Sequence, residues 1–290
     1  MTATTEARPS TAADLAGARL TTGGIIRSEW VKLVTLRSTW WCLGIIAALT
    51  VGIPALIALA LTNTGDGQIS DAADVGYYNW MMATTLPIGF SVLAAAVLGC
   101  LVITGEYGTG MIRSTMAATP KRLSALFAKA FVIGATVLVL GFVSLALGAA
   151  ASGAVLSAAG FAIDPSDGRV WLTLLAAAGY PALVSVFSVG VGTIIRNSAG
   201  AIAAVLGLLL VVPTIFQLIG GLLQAEWAFD VASFLPSSLG GTMYTPVIET
   251  GFDMTAGTVA LEPWQAALAL LAWVAAALIG GALLLKRRDV

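Results

Sequence analysis

The side chains that most often do chemistry in proteins are scarce in this sequence. There is no histidine among the 290 residues, which removes the commonest general base and the commonest metal ligand. Cys42 and Cys100 lie in apolar runs and are expected to be buried hydrophobic residues, not a disulfide or a metal pair. The P-loop motif G-x-x-x-x-G-K-[ST] is absent, since Gly-Lys never occurs. We therefore predict no ATP hydrolysis, no catalytic residues and no cofactor or metal site in this chain.

The composition indicates that the remaining polar residues are held by helices in a bilayer. Hydrophobic residues make up 58% of the chain and charged residues 10%, whereas a soluble domain has about 25% charged residues. So few charges cannot cover the surface of a water-soluble domain, and disordered chains are poorer in apolar residues. A net charge of −1 gives no basic surface for nucleic acid.

Six stretches are apolar enough to cross a bilayer, which takes about 20 residues. They are residues 40–61, 80–103, 126–151, 170–195, 199–223 and 264–285, and Lys129 is the one charged residue inside them. A tight turn at 196–198 divides the fourth span from the fifth. The sequence thus predicts an all-α membrane protein, with a polar cytoplasmic tail at 1–24 and a single transmembrane domain at 25–290.

The basic residues orient these spans. If both termini are cytoplasmic, Arg169 is the one cation outside among the 14 Lys and Arg residues. Cytoplasmic loops carry this excess of Lys and Arg.

Two segments on the predicted cytoplasmic side show regular spacing of apolar and polar residues that a simple connection between spans does not need. Residues 25–38 place apolar side chains at helical spacing, which predicts an amphipathic helix in the membrane interface or, alternatively, a basic flank that only sets the topology. After the second span, Gly108 and Gly110 are expected to break the helix, and Met111–Ala118 to form a short helix whose methionines suit docking. Lys129 is expected near lipid phosphates.

The outer segment between the fifth and sixth spans, 224–263, has no Lys or Arg and is rich in aromatic residues and proline. Two interpretations are open: short helices that re-enter the outer leaflet, or a compact loop packed on the bundle.

Three sequence blocks carry a resemblance: SEWVKLVTLRSTWW, ITGEYGTGMIRSTMAATPKR and FLPSSLGG (234–241). Their order resembles the permease subunit of an ABC-2 type transporter of the actinobacterial kind. The resemblance implies a cytoplasmic interfacial helix at 25–38, with Arg27, Glu29, Trp30 and Lys32. It also implies a coupling helix that docks on a separate ATPase subunit through Glu106, Tyr107, Gly108, Thr109, Met111, Ile112, Arg113 and Met116. The basic residue that often follows the Glu-Tyr pair is replaced here by Gly108.

The function implied by this resemblance is that of the permease of an ATP-driven exporter in the bacterial cytoplasmic membrane. A second permease subunit and membrane lipid would be further partners, and ATP and Mg²⁺ would bind in the ATPase. A hydrophobic or amphipathic substrate (a drug, antibiotic, lipid or peptide) would pass a central cavity. It would be lined by the second and fifth spans, which face each other across the dimer axis in this family, with Thr84, Thr85, Thr214 and Phe216.

The alternative function is an ATP-independent secondary carrier or channel. Ion-coupled carriers usually bury ionisable residues within their spans, and acids and histidine are missing there, although sodium coupling through carbonyls and hydroxyls stays open.

Glu106 is the acid at the cytoplasmic end of the second span. A carboxylate at a helix C-terminus opposes the helix dipole, so we expect a basic partner among Arg27, Lys32, Arg37 and Arg113. Such a partner would join the coupling loop to the interfacial helix as one lever. The alternative is a solvated acid without a fixed partner.

Overall fold

The computed structural model describes residues 21–64, 73–118, 122–245 and 259–287, and within these ranges the regular structure is entirely helical. This confirms the all-α prediction; most of the predicted tail lies outside the described residues. In chain order the helices are α1 (Thr22–Thr35), α2 (Arg37–Thr64), α3 (Ala73–Thr85), α4 (Ile88–Thr109), α5 (Met111–Ala118), α6 (Arg122–Ala158), α7 (Gly168–Ile195), α8 (Ser198–Leu206), a π-helical turn (Gly207–Val211), α9 (Val212–Leu223), α10 (Glu226–Ser233), α11 (Pro236–Tyr244) and α12 (Pro263–Arg287).

Six helical segments of the described chain are long and apolar enough to cross a membrane, and they confirm the six predicted spans. They are Arg37–Asn63, Val75–Thr109, Leu123–Ala158, Gly168–Ile195, Ser198–Leu223 and Pro263–Arg287. Helices suit this environment because they satisfy their own backbone polar groups. The second span is formed by α3 and α4 with a turn at Leu86 and Pro87, since proline has no N–H to donate to the preceding turn.

The bundle is built around α7, which packs against α4, α6 and α12, while α2 packs against α4 and α6. Several of these contacts need glycine, and two of them involve the closest approaches to a neighbouring carbonyl oxygen. A Cβ atom added to Gly99 of α4 would lie 2.2 Å from the carbonyl oxygen of Ser185 in α7. A Cβ atom added to Gly148 of α6 would lie 2.1 Å from the carbonyl oxygen of Thr50 in α2. The absent side chains let the backbones approach closely, as is common in membrane helix pairs.

The turn between the fourth and fifth spans is as short as predicted. Arg196 ends α7 in the left-handed conformation, with φ of 62° and ψ of 4°. The Asn197 side chain then accepts a hydrogen bond from the Gly200 amide at 2.9 Å and caps the start of α8.

The segment after the fifth span begins with two short helices, α10 and α11, that pack on the bundle. The Trp273 indole of α12 donates a hydrogen bond to the Phe234 carbonyl between them at 3.0 Å, and Leu239 of α11 is fully buried. The rest of this segment, 246–258, lies outside the described residues. Re-entry into the outer leaflet stays a prediction.

The predicted interfacial segment forms a separate helix that ends earlier than expected. α1 stops at Thr35 and α2 starts at Arg37, because Leu36 is extended with φ of −82° and ψ of 124°. The Trp40 indole donates to the Val34 carbonyl across this elbow at 2.9 Å. The segment is therefore helical, and its place in the membrane interface stays a prediction.

The short helix after the second span has the predicted limits, Met111–Ala118. It is separated from α4 by Gly110, whose φ of 74° is left-handed and suits glycine because no Cβ is present. Gly108 lies inside α4, so the prediction that it breaks the helix is wrong.

Candidate functional site

Four charged side chains from three helices meet at the end of the bundle where α5 lies. The Lys32 amine of α1 donates to Glu29 Oε1 at 2.7 Å and to Glu106 Oε1 of α4 at 3.0 Å. The Lys129 amine of α6 donates to the same Glu106 oxygen at 2.8 Å and also to Glu29 Oε2. We call these four residues the charge cluster. It joins α1, the second span and the third span.

The charge cluster is almost entirely removed from solvent. Glu29, Glu106 and Lys129 are each 3% exposed, and only the Lys32 side chain, at 25%, reaches the surface. Burying a charge is costly unless it is paired and hydrogen-bonded. Each amine contacts both carboxylates, so the four residues stabilise one another as a unit.

Local sequence explains how each residue reaches this position. Glu29 and Lys32 are three residues apart in α1 and so share one helix face, on which Leu33 is also buried. Glu106 lies in the last turn of α4, where the helix dipole disfavours a carboxylate. The two nearby ammonium groups offset this effect, which excludes the solvated alternative for Glu106.

The short helix α5 is attached to the charge cluster by a polar and an apolar contact. Lys32 donates its third hydrogen bond to the Thr115 hydroxyl of α5 at 3.1 Å. Ile112 of α5 is 4% exposed and belongs to a hydrophobic cluster that includes Leu33 and Leu126. α5 thereby contacts α1 and α6, and it follows α4 directly at Gly110.

The charge of Lys32 is secured by its surroundings. Burial lowers the pKa of Lys32, but the hydrogen bond to Glu29 and the nearby charges of Glu106 and Glu29 raise it more, so the pKa lies above its usual range. A raised folded-state pKa means that this stabilisation is complete at pH values below the ordinary lysine pKa. It is lost only when the pH rises through the raised value, far above neutrality.

The structure places the other predicted docking residues in different environments. Tyr107 is half-buried, with the Arg196 guanidinium 5.2 Å from its ring centre. The exposed members are Gly108, Thr109, Met111 and Arg113. Ile112 is not available for docking because it is buried in the bundle; the side chain of Met116 lies outside the described residues.

On α1, Arg27 and Trp30 are exposed, while Glu29 and Lys32 belong to the charge cluster. Of the predicted partners for Glu106, the structure selects Lys32.

The predicted substrate-cavity residues differ in burial within the single chain, and a cavity across the dimer axis stays a prediction. Thr84 is fully buried and bonds to the Trp80 carbonyl at 2.8 Å, and Thr85 bonds in the same way to the Met81 carbonyl. Thr214 is exposed. The hydroxyls of Thr84 and Thr85 are thus bonded within their own helix, and Phe216 is half-buried.

Lys129 is the principal residue that the sequence interpretation missed. It was expected near lipid phosphates, but it is buried between Glu29 and Glu106. The signal was present: Lys129 is the one charged residue within the six predicted spans, and ionisable residues in membrane helices usually pair with one another.

The fold and the charge cluster together define a polytopic helical membrane protein whose short exposed helix is tied to three other helices. The family model described as ABC-2 family transporter protein matches residues 24–290. The chain therefore belongs to the ABC-2 transporter family and is a membrane transport permease, the transmembrane component of such a transporter. No individually curated protein matches it.

Proposed function

We propose that this chain is the permease subunit of an ATP-driven exporter, in which a separate ATPase subunit docks on α5. Two permease subunits, identical or different, would form the transport path by alternating access. The cargo would be hydrophobic or amphipathic, and both termini would face the cytoplasm of a bacterium. ATP and Mg²⁺ would bind in the ATPase.

The observation that carries this proposal is the attachment of α5 to the charge cluster. Met111 of α5 is 40% exposed and Arg113 beside it is also exposed, so α5 offers a free surface to a partner. On its inner side, Ile112 and Thr115 contact the bundle. A push on the free surface would be transmitted to α1, α4 and α6.

Dependence on a partner is tested with ATP hydrolysis and transport. The permease purified alone should hydrolyse no ATP, since it has no P-loop, and should move no substrate. The permease reconstituted with its ATPase subunit should do both. Transport by the permease alone, driven by a sodium or proton gradient, would contradict the proposal and favour the secondary carrier.

Docking on α5 is tested by Met111→Asp. Burying a methionine contributes about 1.5–3 kcal/mol, and a carboxylate buried in its place adds a desolvation cost. We expect at least tenfold weaker association with the ATPase, measured by copurification and titration, with unchanged membrane insertion.

Two controls make this result specific. Met111→Leu should bind normally, because it keeps the apolar contact. Ile112→Asp should damage the fold of the permease itself, since Ile112 packs inside the bundle. Wild-type affinity of a folded Met111→Asp permease would place the docking surface elsewhere.

A further inference from the structure

A cavity of about 620 Å³ lies beside the charge cluster, between α1, the elbow at Leu36, the end of α4 and the start of α5. Its volume falls within the range of about 300–1,000 Å³ that small-molecule sites occupy. All four residues of the charge cluster contribute to its lining, and most of the remaining wall is apolar, from Leu33, Leu36, Leu101, Val102 and Met111. An apolar wall beside a charged one suits an amphipathic ligand.

Hydrogen-bond capacity decides which charge that ligand carries. The Lys32 amine uses all three of its donors, on Glu29, Glu106 and Thr115. Two ionised carboxylates offer about eight acceptor positions, yet Glu29 and Glu106 receive four hydrogen bonds from the two lysines. Oε2 of Glu106 accepts none from the described residues. Lys129 uses two of its three donors, on the same two carboxylates. About four acceptor positions are thus left against one N–H donor, which favours a ligand that donates N–H groups over an anion.

We propose that this cavity binds a lipophilic primary amine. Its ammonium group donates to the carboxylates of Glu29 and Glu106, and its hydrocarbon part packs on Leu33, Leu36 and Leu101. A phosphatidylethanolamine lipid and a free cationic amphiphile both supply this chemistry. The binding itself does not rest on the proposed function, because it is measured on the permease alone.

The test is photolabelling of the full-length permease in nanodiscs of phosphatidylcholine, whose quaternary ammonium has no N–H donor. Dodecylamine and dodecanoic acid, each with a diazirine in the chain, are compared by mass spectrometry of the peptides that contain Leu33, Leu36 and Leu101. Labelling is normalised to the exposed α6 residues Val139 and Val143, which corrects for partition into the bilayer. A charge-assisted hydrogen bond predicts about tenfold more labelling by the amine. Equal normalised labelling by the two probes would overturn the proposal.

Gly105 and Gly108 provide a matched pair of variants. An added Cβ at either position meets no atom within 4 Å, but only Gly105 lines the cavity. Gly105→Phe should reduce amine labelling at least fivefold at an unchanged melting temperature, whereas Gly108→Phe should label like the wild type. Undiminished labelling of folded Gly105→Phe would also overturn the proposal. If that variant does not fold, Leu101→Trp replaces it with the same criterion.

The source of the amine is assigned by adding phosphatidylethanolamine to the nanodiscs. If this lipid suppresses the cavity labelling, the natural ligand is a membrane lipid. If the labelling persists, the cavity prefers a free amphiphilic amine. Both results support the binding of a lipophilic amine, and they differ only in where that amine comes from.

Discussion

Replacement of Lys129 by methionine is expected to destabilise the permease by about 3–5 kcal/mol, the cost of removing one partner from a buried ion pair. Lys129 contacts both Glu29 and Glu106. Without it, two carboxylates that are each 3% exposed share the single charge of Lys32. The measurement is thermal unfolding of the purified permease in detergent, followed by tryptophan fluorescence.

A second variant separates charge imbalance from lost packing. Lys129→Met combined with Glu106→Gln leaves the Glu29–Lys32 pair, whose atoms are 2.7 Å apart, electrically balanced. The double variant should recover more than half of the lost stability. Wild-type unfolding of Lys129→Met alone would show that the charge cluster does not hold the helices together.

The second large effect is expected from Glu106→Gln, which should lower the amount of substrate transported per ATP hydrolysed. The substitution keeps the shape of the side chain but weakens its hydrogen bonds to Lys32 and Lys129, which are worth about 1.5–3 kcal/mol each when charged. It also leaves Glu29 alone to balance two ammonium groups, so the unfolding temperature of the variant is measured beside its transport. On the proposed function, α5 and α1 then move less tightly together. The complex with the ATPase should still assemble, while substrate transported per ATP hydrolysed should fall several-fold.

The number of substrate molecules transported per ATP hydrolysed is measured in proteoliposomes that contain the permease and its ATPase. ATP hydrolysis and substrate uptake are followed in the same sample. Glu226→Gln is the matched control, because Glu226 is an exposed acid at the start of α10. It should leave the ratio unchanged. A wild-type ratio in Glu106→Gln would remove Glu106 from the coupling mechanism.

The spans could be predicted from the sequence because the bilayer imposes a simple requirement on each of them separately. A length of about 20 apolar residues is a local property, and so is the short turn at 196–198. The first residue of α5 could also be predicted from local sequence, because Gly110 ends the preceding helix. The same reasoning placed Glu106 at a helix end and indicated a basic partner.

The composition of the charge cluster could not be predicted in the same way. Lys129 is 100 residues from Glu29 in sequence, and they meet only because α1 and α6 pack together. The burial of Ile112, Thr84 and Thr85 depends on similar long-range packing. A helical pattern shows which residues share a face, but not which neighbour covers that face.

The balance of charge within the cluster has an electrical consequence. Two ammonium and two carboxylate groups sum to zero, so the cluster can shift along the membrane normal without net work against a transmembrane voltage. Moving one unpaired elementary charge through the whole field would cost about 2.3 kcal/mol per 100 mV. The charge cluster therefore contributes no net charge to a movement of α1, α4 and α6 that carries its four residues together, and any voltage dependence of that movement has to come from other charges on these helices, such as Arg27 of α1.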